Sequence, residues 1–161
     1  MLTIEKLSPH HDRRSFDCGI EDLNTYLHKY SGQHELKGIG RTYVATKELD
    51  NRVLGYYTIS SSAVAFDVVP ENLPRHPVPV AFIGRLAVDK TARGQRLGET
   101  LLIHALRSAQ RAARIVGIYA VVVDALDDSA KRFYLKYGFV ELTDDQLHLY
   151  LPMKAIERLN L

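Results

Sequence analysis

Tryptophan is absent from this 161-residue chain, and there is a single cysteine, Cys18. One thiol excludes a disulfide framework and a cysteine-based zinc site within one chain. No stretch approaches the ~18 consecutive apolar residues that a membrane helix needs. The opening residues, with Glu5 and Asp12, lack the continuous apolar core of a secretory signal. The expected compartment is the cytoplasm, with no membrane partner and no metal. Charge of one dominant sign is also lacking. Lys and Arg number 21 against 19 Asp and Glu, a net charge of +2, so bulk charge names no partner. Repeats and low-complexity linkers are missing too. What is present is 46% hydrophobic and 25% charged residues in a length suited to one domain, expected over residues 1–161. That excludes general disorder and allows a core without metals or disulfides.

Periodicity places the elements. Residues 2–7 alternate as a strand. Ile20, Leu23, Leu27 and Tyr30 recur at helical spacing over 20–36, with Glu21 and Asp22 where carboxylates suit the helix dipole. Strands are expected at 41–48 and 52–66, joined by a turn at Leu49-Asp50-Asn51. Four prolines between Pro70 and Pro79 make a loop, with a helical turn expected around Glu71. A strand over 80–89 then leads through a glycine-bearing turn into a long amphipathic helix ending near residue 113. The apolar run at 118–124 reads as a strand buried on both faces. Asp127 or Asp128 caps a helix to about residue 136, and strands at 139–142 and 147–151 close the chain. Antiparallel hairpins followed by β-α-β-α-β give an α/β (α+β) single domain with a mixed sheet flanked by helices.

The most informative stretch is Leu86-Ala87-Val88-Asp89-Lys90-Thr91-Ala92-Arg93-Gly94-Gln95-Arg96-Leu97-Gly98. A strand ends, the chain turns, and a helix begins. Free N–H groups at a helix start, with the positive end of its dipole, favour an anion. Gly94 and Gly98 suit a tight turn and a close first helical turn, and Arg93 and Arg96 add charge-assisted donors suited to a diphosphate. No Gly-Lys-Ser/Thr follows, which excludes a Walker-type loop.

These residues resemble the acetyl-CoA motif R/Q-x-x-G-x-G/A of the GCN5-related N-acetyltransferase (GNAT) superfamily, preceded by a strand ending L-x-V. Leu86 and Val88 match the strand end, and Arg93, Leu97 and Gly98 match the loop. Arg96 departs from the pattern, standing where the motif has its first glycine. A second match is Asp127 to Phe139, which resembles N-x-x-A-x-x-x-Y-x-x-x-G-F through Ala130, Tyr134, Gly138 and Phe139, with Asp127 replacing the asparagine. The resemblance implies that Leu86, Ala87, Val88, Arg93, Gly94, Gln95, Arg96, Leu97 and Gly98 hold acetyl-CoA, joined by Asp127, Ala130 and Tyr134. It also implies that Tyr134 is the general acid for the departing thiolate. A phenol suits that role, being protonated at neutral pH with a reference pKa of about 10 against about 8.5 for a thiol. Tyr137, four residues from Phe133, reads as packing. The seven histidines form no visible constellation, so no general base is named.

Phe16-Asp17-Cys18-Gly19 with Leu23, Asn24, Tyr26 and Leu27 resembles the F-x-C-G-x-x-x-L-N-x-[FY]-L opening of one subgroup. This subgroup comprises the GNAT toxins of type II toxin–antitoxin systems, of the TacT and AtaT kind. Thr42-Tyr43-Val44, Gly55-Tyr56-Tyr57, Gly84 to Val88 and Val123-Asp124-Ala125 extend the likeness over about residues 3–152. It implies acetylation of the α-amino group of aminoacyl-tRNA, a translation block, a homodimer, and a ribbon-helix-helix antitoxin as partner. Cys18 itself reads as a small buried residue at the helix entrance.

On the long helix, Arg96, Arg107, Arg111 and Arg114 fall within roughly 60° of one another. Leu97, Leu101, Ala105, Ala109 and Ala112 take the opposite face. Arg107, Arg111 and Arg114, with Arg41, Arg75 and Arg85, are candidates for following a tRNA backbone; a solvated face or an antitoxin surface reads the same stripe differently. Two other functions stay open: a GNAT acting on a small-molecule or protein amine, and a GNAT-fold binding module without catalysis.

Overall fold

The computed structural model describes residues 1–161. Its strands are β1 (Leu2–Lys6), β2 (Arg41–Lys47), β3 (Gly55–Val64), β4 (Val78–Val88), β5 (Ala120–Asp124), β6 (Val140–Glu141) and β7 (His148–Pro152). They form one mixed seven-stranded sheet in the order β1-β2-β3-β4-β5-β7-β6. The helices are α1 (Glu21–Thr25), α2 (Ser31–Lys37), α3 (Leu97–Ala113), α4 (Asp128–Lys136) and α5 (Met153–Arg158), with a π-helical segment Tyr26–Tyr30 between α1 and α2. Backbone contacts group residues 1–60 and 84–105 into one compact unit, and residues 61–83 and 106–161 into a second.

The first unit is built on an antiparallel meander. β1 pairs with β2 from Leu2↔Lys47 to Lys6↔Tyr43, and β2 pairs with β3 from Arg41↔Ile59 to Ala45↔Gly55. Phe16, Leu23, Leu27, Val44 and Tyr56 are buried together, and the Phe16 ring meets Tyr56 edge-on at 5.4 Å. The helix expected over 20–36 is there, but it is interrupted. Ser31 explains the interruption. Its hydroxyl donates to the Leu27 carbonyl at 2.8 Å, and its N–H reaches one residue further back, to the Tyr26 carbonyl. Arg13 secures the arrangement by donating to the Ser31 hydroxyl at 2.9 Å. A side chain inserted into the helix ladder is a recognised cause of such a bulge.

In the second unit, β4 runs parallel to β5 from Val80↔Ala120 to Ile83↔Val123, and β5 runs antiparallel to β7 from Ala120↔Pro152 to Asp124↔His148. Ala120 to Val123 are all buried, as a strand covered on both faces requires. Val78, Val80, Val122, Leu142 and Tyr150 form its core. Asp127 caps α4, its Oδ1 accepting the Ala130 N–H at 2.8 Å.

Several expected boundaries move. The strand expected from residue 52 begins at Gly55, because Arg52 forms an isolated bridge with Asp12 instead. The helical turn expected near Glu71 lies at Phe66–Val68. The strand expected at 139–142 shrinks to Val140–Glu141. A terminal helix follows where the last strand was expected to close the chain. On α3, Leu97, Leu101, Ala105 and Ala109 are buried as expected, but Ala112 in the last turn is exposed. Arg96 precedes the helix and Arg114 follows it, so α3 itself carries only Arg107 and Arg111 of the expected arginine stripe.

Candidate active site

The turn from Asp89 to Leu97 is held by residues distant in sequence. Asp89, at the end of β4, is 3% exposed. Its Oδ2 accepts the Thr91 N–H at 2.9 Å and the Thr91 hydroxyl at 2.6 Å, and its Oδ1 accepts the Asp17 N–H at 2.8 Å. Arg52 adds an ion pair at 3.7 Å. Burial alone would raise the Asp89 pKa, but these donors outweigh it and hold the carboxyl below its ordinary range. Asp17 is the mirror partner. Its carboxylate accepts the Gly19 N–H at 2.9 Å and the Asn24 side-chain amide at 3.0 Å, and pairs with Lys90 at 3.2 Å. Together they depress its pKa to about 2.

Arg93 donates to the Cys18 carbonyl at 2.5 Å. Its guanidinium lies 3.2 Å from where a Cβ on Gly19 would sit, and Gly19 has φ +88°. A side chain at Gly19 would therefore crowd Arg93 and strain the backbone. This is what the F-x-C-G opening does physically: it seats Arg93, with Cys18 5% exposed beneath. Sequence reading assigned Arg93 to a diphosphate; in the structure one of its nitrogens ties the loop to residues 18–19.

Gly94 then takes φ +81° and Arg96 φ +58°. Arg96 stands in the motif's glycine position and adopts the backbone conformation that glycine favours. Gly94, Gln95 and Arg96 are exposed. The Arg96 carbonyl accepts the Thr100 N–H at 3.1 Å, which makes Arg96 the cap residue just ahead of α3. The first N–H groups of this 17-residue helix have no intrahelical partner. The arrangement fits a diphosphate: exposed, left-handed turns ahead of a long helix, with main-chain donors in excess.

Tyr134, in the second unit, is held by packing. It is 7% exposed. Phe133 and Phe139 meet its ring edge-on at 5.2 and 5.4 Å. Burial pushes its pKa above the ordinary tyrosine value, and no hydrogen bond engages its hydroxyl. The phenol is therefore protonated at every physiological pH. Tyr137 packs edge-on against Phe133 at 5.2 Å. Ala130 is half-buried, and Asp127 spends its carboxylate on capping α4.

Residues 8–139 match the model of the acetyltransferase (GNAT) family. The chain belongs to the GNAT acetyltransferases. It is 37% identical over 152 residues to a tRNA-acetylating toxin of Mycobacterium tuberculosis, covering 92% of this chain and 90% of that protein. Its fold matches AtaT complexed with acetyl-methionyl-tRNAfMet at TM-score 0.93 and 33% identity, covering 100% of both chains. AtaTR bound with AcCoA matches at TM-score 0.89 and 34% identity, covering 99% of this chain and 98% of that one.

Beyond the turn and Tyr134, this GNAT enzyme distributes the six arginines over both units. In the first, Arg41 is exposed and pairs with Glu35 at 3.7 Å, while Arg85 lies 3.5 Å over the Tyr26 ring. In the second, Arg75, Arg107, Arg111 and Arg114 are exposed, and Arg111 donates to Ser108 at 3.3 Å.

Two groupings escaped sequence reading. Asp17 and Asp89, 72 positions apart, meet through a contact that no local pattern records, although Asp89-Lys90-Thr91 carries the local signal of an aspartate capping a turn. Glu5, His10 and His11 bring three potential ligand atoms within 4.8 Å. That cluster is a hydrogen-bonded set. The Ser8 N–H donates to His11 Nδ1 at 3.0 Å, so the neutral ring carries its proton on Nε2, which donates to Glu5 at 2.8 Å. No helix is long and apolar enough to cross a membrane.

Proposed function

We propose that this chain is the toxin of a toxin–antitoxin pair, an acetyltransferase that moves an acetyl group from acetyl-CoA to the α-amino group of the amino acid on charged tRNA. The reading includes a single catalytic domain over residues 1–161, a homodimer, a ribbon-helix-helix antitoxin as partner, and a cytoplasmic setting. Its main support is a match over nearly the whole chain to a tRNA-acetylating toxin. A second support is the pair of left-handed residues Gly94 and Arg96 before α3.

Acetyl-CoA, held by the main chain of Gly94 to Gly98 and along Leu86 to Val88, supplies the activated thioester. In the reaction a C–N bond forms and a C–S bond breaks. The amine must reach the site neutral, and the sulfur leaves as a thiolate that gains from a proton. Tyr134 supplies that proton. Its hydroxyl is uncommitted and protonated, and its raised pKa favours its return to the phenol after each turnover. The ester of an aminoacyl group withdraws electrons from its amine, so a larger neutral fraction exists at pH 7 than for a lysine. A strong base is then unnecessary, which fits a site where none was read. Arg41, Arg75, Arg85, Arg107, Arg111 and Arg114 are assigned to tRNA phosphates.

The test is to incubate the purified protein with labelled acetyl-CoA and bulk charged tRNA, then release and identify the labelled amino acid. Label on the α-amine of a released amino acid is the expected result. Label absent from the aminoacyl fraction but present on protein or small amines overturns the tRNA assignment.

A further inference from the structure

Asn24 lies on α1 and is 8% exposed, although asparagine is a poor helix former. Helix formation does not account for it; its amide does. Oδ1 accepts the Cys18 N–H at 2.9 Å, and Nδ2 donates to Asp17 Oδ1 at 3.0 Å. The two ends of one amide are used in opposite senses. Aspartate here would lack the donor and face the Asp17 carboxylate with a second one, and leucine would supply neither group.

Residues 17–19 carry two consecutive peptide planes, and each plane is bonded on both edges. In the first, the Asp17 carbonyl accepts the Lys90 N–H at 2.9 Å while the Cys18 N–H donates to Asn24. In the second, the Cys18 carbonyl accepts from Arg93 at 2.5 Å while the Gly19 N–H donates to Asp17 Oδ1 at 2.9 Å, the oxygen that Asn24 also holds. The Asp17 N–H adds its bond to Asp89 at 2.8 Å. A peptide plane is rigid, so its carbonyl and its N–H turn together. One edge of each plane therefore faces α1 or the Asp17 carboxylate, and the other faces residues 89–93. All of these residues belong to the first unit.

From this double bracket we infer that Asn24 is a positioning residue for acetyl-CoA. It holds the two planes from α1, the planes hold Lys90 and Arg93, and these set the direction in which the exposed main chain of Gly94 to Gly98 presents its donors. The inference rests on the proposed seat of acetyl-CoA at this turn and adds the residue that orients the seat. It also makes α1 and the turn one mechanical piece, so a ligand that steadies the turn steadies residues 17–24.

The experiment first follows amide hydrogen exchange of the parent with and without saturating acetyl-CoA. Slower exchange at 94–98 together with 17–24 is the expected result. Slower exchange at 94–98 alone overturns the role of Asn24, and no change at 94–98 overturns the seat of acetyl-CoA itself. This arm needs no variant, so it decides the matter even where a variant does not fold. Asn24→Asp, checked by thermal melts, then sets two carboxylates against each other. Calorimetric titration should show acetyl-CoA bound about tenfold more weakly. In kinetics the loss should fall on the KM for acetyl-CoA, with kcat within about threefold of the parent. Asp17→Asn combined with Asn24→Asp restores one amide facing one carboxylate, in reversed order, and gives up only the exposed pair with Lys90. It should recover the parental affinity to within about threefold. A folded Asn24→Asp with parental affinity, or a double variant that binds no better than Asn24→Asp, overturns the inference.

Discussion

The turn before α3 and the helix carrying Tyr134 hold their functional groups by opposite means. The turn is tied by polar side chains from far along the chain: Asp89 bonds the Asp17 backbone, and Arg93 bonds the Cys18 carbonyl. Tyr134 is fixed by aromatic edges alone, and its hydroxyl bonds to nothing. The difference fits the role proposed for each. An anion is recognised by backbone N–H groups, whose directions depend on φ and ψ, so the backbone itself must be locked. A general acid must have its O–H free, so its ring is held and its polar tip is left alone. Hydrogen bonds orient the first site; packing orients the second.

Removing the free tip gives the largest expected effect. Tyr134→Phe keeps every ring contact and loses only the proton donor. Single-turnover acetylation of charged tRNA at saturating acetyl-CoA should slow by about 10²–10⁴-fold, with the melting temperature and acetyl-CoA affinity unchanged. A rate within about threefold of the parent would make Tyr134 a packing residue and erase the contrast.

Cutting the polar tie comes next. Asp89→Ala leaves the Thr91 and Asp17 N–H groups without their acceptor and is expected to cost about 2–4 kcal/mol. In a chain of this size that lowers the melting temperature by roughly 5–15 °C. Calorimetric titration should also show weaker acetyl-CoA binding. Loss of stability with full affinity would mean that Asp89 supports the fold but not the turn.

Arg96→Gly sharpens the comparison in the other direction. A non-glycine residue at φ +58° is strained, and relieving it should stabilise by about 1 kcal/mol, a rise of about 2–4 °C. Acetyl-CoA affinity should hold, because the donors are main-chain. An affinity drop of tenfold or more would show that the Arg96 side chain, not its backbone, meets the ligand.

The smallest effect is in the acid limb of stability. The folded-state pKa of Asp17 is depressed to about 2 from 3.8, so its contribution is complete above 3.8 and is lost as pH falls toward 2. Asp17→Asn should melt nearly as the parent does at pH 2 and below it at pH 5. Parallel melting curves across that window would remove Asp17 from the set of ties.

These contrasts also explain what was legible beforehand. The strand–turn–helix at 86–98 and the Asp127 cap are local, so residue types in order reveal them. The Arg96 departure was visible as a side chain in a glycine position, but its left-handed backbone was not. The Asp17–Asp89 pair is a long-range contact that periodicity does not record. Ala112 lies on the apolar arc of α3, yet the last helical turn is left uncovered. The six residues of α5 are too few to display a period, and Pro152 at their start reads equally well as a strand end.

The π-helical segment at Tyr26–Tyr30 bears on how this arm is compared with others. Each π bond spans one residue more than an α bond, and one residue on a helix is a rotation of about 100°. The segment absorbs that rotation, so Leu23 before it, Leu27 within it and Ser31 after it are all buried. In evolutionary terms the arm reads as a helix that accepted one residue and kept both its faces. A relative one residue shorter here would carry the same faces on an unbroken α-helix. Aligned with this chain, its single gap would mark a change of winding and not a lost contact.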